Sequence, residues 1–307
     1  MPQGGSTGGD QIHRAGVPQE MAKGDIVGHK PPLRVLETTI REGRIPHALL
    51  FEGPEGIGKK KVALWFIEAL NCRRAPGEGC GSCEQCERIQ RLSHPDLHLL
   101  TLEGESIRIE QIREATNILR FRPLEGRWKA LVVEDAERMT PEASNAFLKT
   151  LEEPTPWTLI ILIAQSADAL LPTVRSRCQR IRFFPLKEGE VREVLERLGV
   201  QAPPSALRWG SPGKAIRMLQ EDFEALLLKA KEGGLSGIFD LGEELGRDRE
   251  RAIGFLQFLL QECRRKLEEN SLGFDKFWRL LHIYRCLEEY ANARLCVEAA
   301  LLEMLHL

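Results

Sequence analysis

The feature that most constrains this chain is a glycine-rich turn set between a buried strand and a helix. A short apolar run, Ala48 to Phe51, leads into Gly53-Pro54-Glu55-Gly56-Ile57-Gly58-Lys59. Val62, Leu64, Phe66, Ile67 and Leu70 then recur in a helical pattern. Gly53-x4-Gly58-Lys59 in that setting matches most of the phosphate-loop pattern. Such a loop works because its backbone N–H groups and the following helix N-terminus face phosphate oxygens, while lysine adds a point charge. Further short apolar runs at Ala130–Val133, Thr158–Ala164 and Arg180–Phe184 alternate with helical patterns, among them Ile109, Ile112, Ala115 and Leu119. That alternation predicts an α/β domain with a mainly parallel sheet. Thr140 is expected to cap a helix that has Pro141 at its first position.

The same motif lacks what metal-dependent hydrolysis needs. The position that should offer a Ser or Thr hydroxyl to Mg²⁺ is Lys60, whose ammonium has no lone pair to give. The strand Ala130–Val133 ends in Glu134-Asp135, whereas hydrolysing enzymes of this class place Asp first for the metal and Glu second for the attacking water. Gly53, Gly58 and Lys59, with the altered acidic pair Glu134 and Asp135, are therefore candidates for a degenerate nucleotide site. Loss of ATP hydrolysis with Mg²⁺ is expected. Binding of nucleotide without turnover stays open beside a loop that keeps its turn and holds none.

Four of the eight cysteines cluster as Cys72-x7-Cys80-x2-Cys83-x2-Cys86. Two overlapping C-x2-C pairs can bring four thiolates onto one Zn²⁺, and a closed four-sulfur site leaves no position for catalysis, so its role is structural. This spacing suits zinc better than a redox pair or an iron–sulfur cluster. His94, just downstream, is expected to be a local hydrogen-bonding residue. Cys178, Cys263, Cys286 and Cys296 stand singly and fit packing.

At 307 residues two or three domains are expected. After Pro185 a small helical segment ends near Gly210-Ser211-Pro212-Gly213, and from about Phe223 strand signals cease. Ile253, Leu256, Leu260, Cys263 and Leu267 step as one amphipathic face, Phe277, Leu280, Tyr284 and Leu287 as another, and Leu295, Leu302 and Leu305 suggest a last helix. The balance of 43 Lys+Arg against 45 Asp+Glu argues against a dedicated nucleic-acid binder, without excluding a part in a complex that holds DNA. No apolar run approaches a membrane helix. The N-terminus carries no apolar signal stretch, which gives a cytoplasmic expectation. Residues 1–23 are expected to be a disordered tail or a cloning remnant, with Met21 as an internal start.

Several blocks together resemble one family. They are Arg44-Ile45-Pro46-His47-Ala48, the phosphate loop, the cysteine cluster, His94-Pro95-Asp96, the run from Ser144 to Pro154 (SNAFLKTLEEP) and the run from Leu171 to Cys178 (LPTVRSRC). On these residues, which fall within about 24–184, the chain resembles the delta-prime subunits of bacterial DNA polymerase III clamp loaders, within the AAA+ superfamily. The resemblance implies an AAA+ α/β domain over 24–184 with a zinc module at 72–86, a helical lid over 185–222 and an all-α collar over 223–307. It implies a five-subunit ring with gamma/tau and delta partners, which loads the sliding clamp onto primed DNA using ATP at subunit interfaces. In this family the Ser-Arg-Cys arginine serves a neighbour's ATP, and the matching residue is Arg177. Where hydrolysing relatives carry a lid arginine, Gly213 stands here, and Gln165 occupies the position that senses phosphate. These departures fit a non-hydrolysing stator better than the alternatives, an ATP-hydrolysing gamma/tau-type subunit or a zinc-stabilised interaction module outside replication.

Overall fold

The computed structural model describes residues 23–102, 104–202, 204–220, 222–268, 273–289 and 291–305. Of the tail expected over residues 1–23, residues 1–22 lie outside them, and Lys23 opens a short 3-10 turn, Lys23–Asp25. The chain divides into two compact units, residues 1–190 and 191–307.

In the first unit the elements run α1 (Lys30–Glu42), β1 (Ala48–Glu52), α2 (Lys59–Asn71), α3 (Glu84–Gln90), β2 (Leu97–Leu100), α4 (Ile109–Leu119), β3 (Lys129–Val133), α5 (Pro141–Glu152), β4 (Thr158–Ala164), α6 (Pro172–Arg175) and β5 (Gln179–Arg182). The sheet order is β2-β3-β4-β1-β5, with every pairing parallel. β1, β3 and β4 are buried at every position, as strands covered on both faces must be. Successive side chains alternate between two cores. Leu49, Phe51, Val132 and Ile161 pack with Val62, Phe66 and Ile67 of α2 on one face. Leu50, Leu131, Ile160 and Leu162 pack with Ile112 of α4 and Phe147 of α5 on the other. Thr140 caps α5 as the sequence suggested, its hydroxyl accepting from the Ala143 N–H at 3.2 Å with Pro141 next in line.

β2 carried no sequence expectation. It is a short edge strand containing His98, which interrupts the apolar pattern. The fourth predicted strand begins one residue earlier than expected and ends at Arg182.

The chain passes through α7 (Glu188–Arg197) into the second unit. There α8 (Pro204–Leu207), α9 (Pro212–Gln220), α10 (Phe223–Glu232), α11 (Gly234–Gly246), α12 (Arg249–Glu268), α13 (Phe274–Glu288) and α14 (Ala293–Leu305) follow without a strand among the described residues. The buried stripe of α12 is centred on Ala252, Phe255, Leu256, Leu259 and Cys263, turned slightly from the expected face because Ile253 and Leu260 are only half-buried. On α14 the core residues are Cys296, Val297, Ala300, Leu301 and Met304, while Leu295 faces outward.

Candidate functional site

In an all-parallel sheet the carboxyl ends of the strands converge on one edge, and this is where such folds bind ligands. Here that edge carries the turn after β1, the acidic pair after β3 and Gln165 after β4. Glu52 closes β1 and accepts from Arg180 at 2.8 Å and Arg182 at 2.5 Å, anchoring the strand before it enters the loop. Burial alone would raise the Glu52 carboxyl, but the two guanidinium groups hold it below the ordinary carboxylate range. Gly53 follows with φ 152°, and a Cβ there would lie 2.4 Å from the Phe183 carbonyl oxygen, so only glycine fits. Gly58, with φ 102°, turns the chain into α2.

The two lysines at the start of α2 are both engaged within the chain. Lys59 is buried and donates to the carbonyls of Gly53 at 2.5 Å and Pro54 at 2.7 Å. Lys60 Nζ lies 2.6 Å from Glu134 Oε1. The other face of the turn is held by His29, whose Nε2–H donates to the Ile57 carbonyl at 2.7 Å. Burial pushes the His29 imidazole below its ordinary value, which keeps it neutral in this role. Asp135 takes a left-handed backbone, φ 47°, which Asp tolerates better than most residues. Burial, with Glu55 and Glu134 nearby, pushes its carboxyl up. Glu137, absent from the sequence expectations, accepts the Gln165 N–H at 3.0 Å, and burial raises its carboxyl too. Glu55, Glu134, Asp135 and Glu137 thus gather at this edge with Lys59 and Arg138.

Arg177 sits elsewhere in the unit. The register pairs Leu49 with Gln179, so Arg177 precedes β5 near the start of β1, whereas the phosphate loop follows the end of β1. Its guanidinium donates to the Thr173 carbonyl at 2.8 Å and pairs with Glu152 at 2.6 Å. Arg175 pairs with Asp168, and burial pushes the Cys178 thiol up to about 12.

The four clustered cysteines do converge. Their sulfurs all lie within 4.8 Å of one another, with Cys72 to Cys83 at 3.8 Å and Cys83 to Cys86 at 3.5 Å. A tetrahedron of thiolates at a metal–sulfur distance near 2.3 Å has edges of about 3.8 Å, so the set fits a four-coordinate metal ion. Backbone N–H groups already point at the sulfurs. Ala75 donates to Cys72 at 3.2 Å. Burial alone would raise the Cys80 thiol, but donors from Ser82, Cys72 and Cys83 bring it down to about 6. Burial and the Cys83 thiol push Cys86 the other way. His94 is not part of the cluster. It accepts the Asp96 N–H at Nδ1, 3.0 Å, so its Nε2 carries the proton and donates to Gln85 Oε1 at 2.5 Å.

The model of the family described as DNA polymerase III, delta subunit, matches residues 28–187. DNA polymerase III subunit delta' of Bacillus subtilis is 32% identical over 256 residues, 82% of this chain and 75% of that protein. DNA polymerase III subunit tau of Escherichia coli is 30% identical over 182 residues, 59% of this chain and only 28% of that protein. Among solved structures, a DNA polymerase III gamma subunit-related protein from Thermotoga maritima aligns over 88% of this chain and 98% of its own, with a TM-score of 0.50 and 20% identity, a likeness of fold. The match to the delta-prime relative covers more of this chain than the match to tau, and the chain belongs to the delta-prime family of DNA polymerase III subunits.

Proposed function

We propose that this chain works in the bacterial clamp loader as a stator, which shapes the ring and serves a neighbour's ATP without hydrolysing its own. The observation that carries the reading is the Lys60–Glu134 ion pair. The residue that should ligate Mg²⁺ and the residue at the metal-binding end of β3 neutralise each other instead. With Lys59 turned onto its own loop carbonyls and Lys60 paired with Glu134, both lysines of the loop are already engaged within the chain. No helix among the described residues is long and apolar enough to cross a membrane.

Arg177 supports the second half of the reading. Five residues of β1, at about 3.3 Å each, separate the level of Arg177 from the loop after Glu52, more than its side chain spans. A phosphate it served would therefore belong to another subunit. In the second unit Phe274 and Trp278 stand 71% and 59% exposed, four residues apart on one face of α13. Such a face suits the collar contacts with gamma/tau and delta in a five-subunit ring around the clamp and primed DNA.

The metal we assign to Cys72, Cys80, Cys83 and Cys86 is Zn²⁺. It would supply a cross-link between the end of α2 and the start of α3, with no open position for chemistry. The test of the stator reading is calorimetry of ATP with the isolated chain, with and without Mg²⁺, alongside clamp loading by complexes assembled with and without it. No metal-dependent turnover from the chain alone, yet loss of loading in its absence, is the expected pair of results. Mg²⁺-dependent turnover by the isolated chain would favour a gamma/tau-type ATPase.

A further inference from the structure

Glu68 lies on α2 one turn before Cys72 and is fully buried, 0% exposed. Its Oε1 has no hydrogen-bond partner, a cost a packed core normally avoids by using an apolar side chain. What surrounds it is the cysteine cluster. The Cys72 N–H donates to the Glu68 carbonyl at 2.7 Å. A Cβ on Gly79 would sit 3.4 Å from Glu68 Cβ, so the turn leading into Cys80 lies directly against this residue. Gln90, at the end of α3, donates through Nε2 both to Glu68 Oε2 at 3.4 Å and to the Gly81 carbonyl at 3.2 Å. Gly79 and Gly81 flank Cys80. One buried carboxyl and one amide thus tie α2, α3 and the Cys80 turn into a single unit.

We propose that Glu68, acting through Gln90, is a positioning residue for the four-cysteine metal centre, holding the Cys80-to-Cys83 turn against α2 where the four sulfurs meet. The inference rests on the reading of that cluster as a metal site. Three of the four ligands are fixed by regular structure: Cys72 ends α2, while Cys83 and Cys86 open α3. Cys80 has no such support. It sits on a glycine-flanked turn outside regular structure, so its placement depends on local ties such as the Gln90 bond to the Gly81 carbonyl. Partners that orient ligands in this way commonly contribute ten- to a hundredfold in metal affinity.

The test uses the full chain loaded with Zn²⁺ or Co²⁺. Glu68→Leu keeps bulk and removes the acceptor. Glu68→Gln keeps an acceptor oxygen for Gln90. Gln90→Leu removes the link from the other side and serves where Glu68→Leu fails to fold. We expect Glu68→Leu and Gln90→Leu to give up zinc to a chromogenic chelator at ten- to a hundredfold lower competitor strength, and to shift the Co²⁺–thiolate absorption bands. Glu68→Gln should stay near wild type in both readouts. Wild-type affinity and spectrum in Gln90→Leu, or equal losses in Glu68→Gln and Glu68→Leu, would overturn the proposal while leaving the metal site standing. Failure of the wild-type chain to bind either metal would overturn both.

Discussion

The Lys60 ammonium sits 2.6 Å from Glu134 Oε1, so a cation of the chain itself joins the first turn of α2 to the end of β3. In a hydrolysing relative a bound metal makes that connection through a hydroxyl and a carboxylate. Here the ion pair makes that connection within the chain, without a ligand. Lys60→Thr restores the hydroxyl but leaves the acidic pair exchanged. It should therefore produce no Mg²⁺-dependent phosphate release, and because the pair is partly solvated its loss should lower stability by only about 0.2–1 kcal/mol. Phosphate release from the variant, abolished by adding Lys59→Ala, would show that metal chemistry was one substitution away.

The cysteine centre makes a prediction about composition and one about stability. Purified chain should carry about one zinc. Cys83→Ser, or strong chelation, should lower the melting temperature of the first unit, since structural zinc binding contributes directly to folding. Each ~1 kcal/mol moves the midpoint of a domain this size by about 2–4 °C, so the loss should be readable by calorimetry. Iron with visible absorbance, or no metal at all, would contradict the assignment.

Asp96 accepts three successive N–H groups, from Leu124 at 2.7 Å and from Glu125 and Gly126 at 2.8 Å each, and so fixes the turn between α4 and β3. Burial alone would raise its carboxyl, but the Gly126, Glu125 and Leu124 donors and His94 hold it below the ordinary range. A lowered folded-state value means the contribution is complete above the unfolded value of about 3.9 and fades as pH falls through the folded one. Asp96→Asn should cost roughly 1–3 kcal/mol at pH 7. Denaturant melts should show that gap constant down to about pH 5 and shrinking below about pH 4. A gap that widened in acid would contradict the sign.

Much of this was legible in the sequence, for a reason that particular elements illustrate. β4 could be bounded at Thr158 and Ala164 because seven consecutive buried residues leave an unbroken local signal. The phosphate loop, the Thr140 cap and the cysteine cluster are likewise written in neighbouring residues. What could not be read were pairings across sequence distance. Nothing near Lys60 announces Glu134, nothing near Arg177 announces Glu152, and Asp96 lies 28 residues from the first N–H it binds. Leu295 fits a helical period yet faces outward, because period gives a helix its stripes but not the side its neighbours take.

The exposed pair Phe274 and Trp278 separates folding from assembly. Phe274→Ser with Trp278→Ser should leave the helical content of the chain unchanged, since both side chains lie mostly in solvent. It should weaken co-purification with the gamma/tau and delta subunits. Leu280→Ala, on the buried face of the same helix, should instead cost about 2–5 kcal/mol of stability. Normal assembly of the double variant would remove this face from the collar contacts.

The last prediction concerns Arg177, whose guanidinium is held by Glu152 at 2.6 Å and by the Thr173 carbonyl at 2.8 Å. This is an ordinary surface ion pair, and such pairs contribute about 0–1 kcal/mol, so the side chain can leave it at little cost. Two roles then compete: a local brace with Glu152, or a group delivered to a neighbour's nucleotide. They differ in what Glu152 does. If the brace is the role, Arg177→Ala and Glu152→Ala should have the same small effect, and neither should change ATP turnover by the complex. If the arginine acts in trans, Arg177→Ala should lower clamp- and DNA-stimulated turnover and slow loading, while Glu152→Ala should leave both intact. An arginine supplied in trans stabilises charge on the transferred phosphoryl group by on the order of a thousandfold or more in rate. One altered site among several in a ring would show a smaller loss. Arg177→Lys should rescue poorly, because an ammonium lacks the planar fork that spans two phosphate oxygens. We expect the trans result, since the register of β5 on β1 sets Arg177 at the opposite end of the sheet from its own phosphate loop. Equal turnover of complexes carrying wild-type and Arg177→Ala chain, at saturating ATP, clamp and primed DNA, would return the residue to its pairing with Glu152.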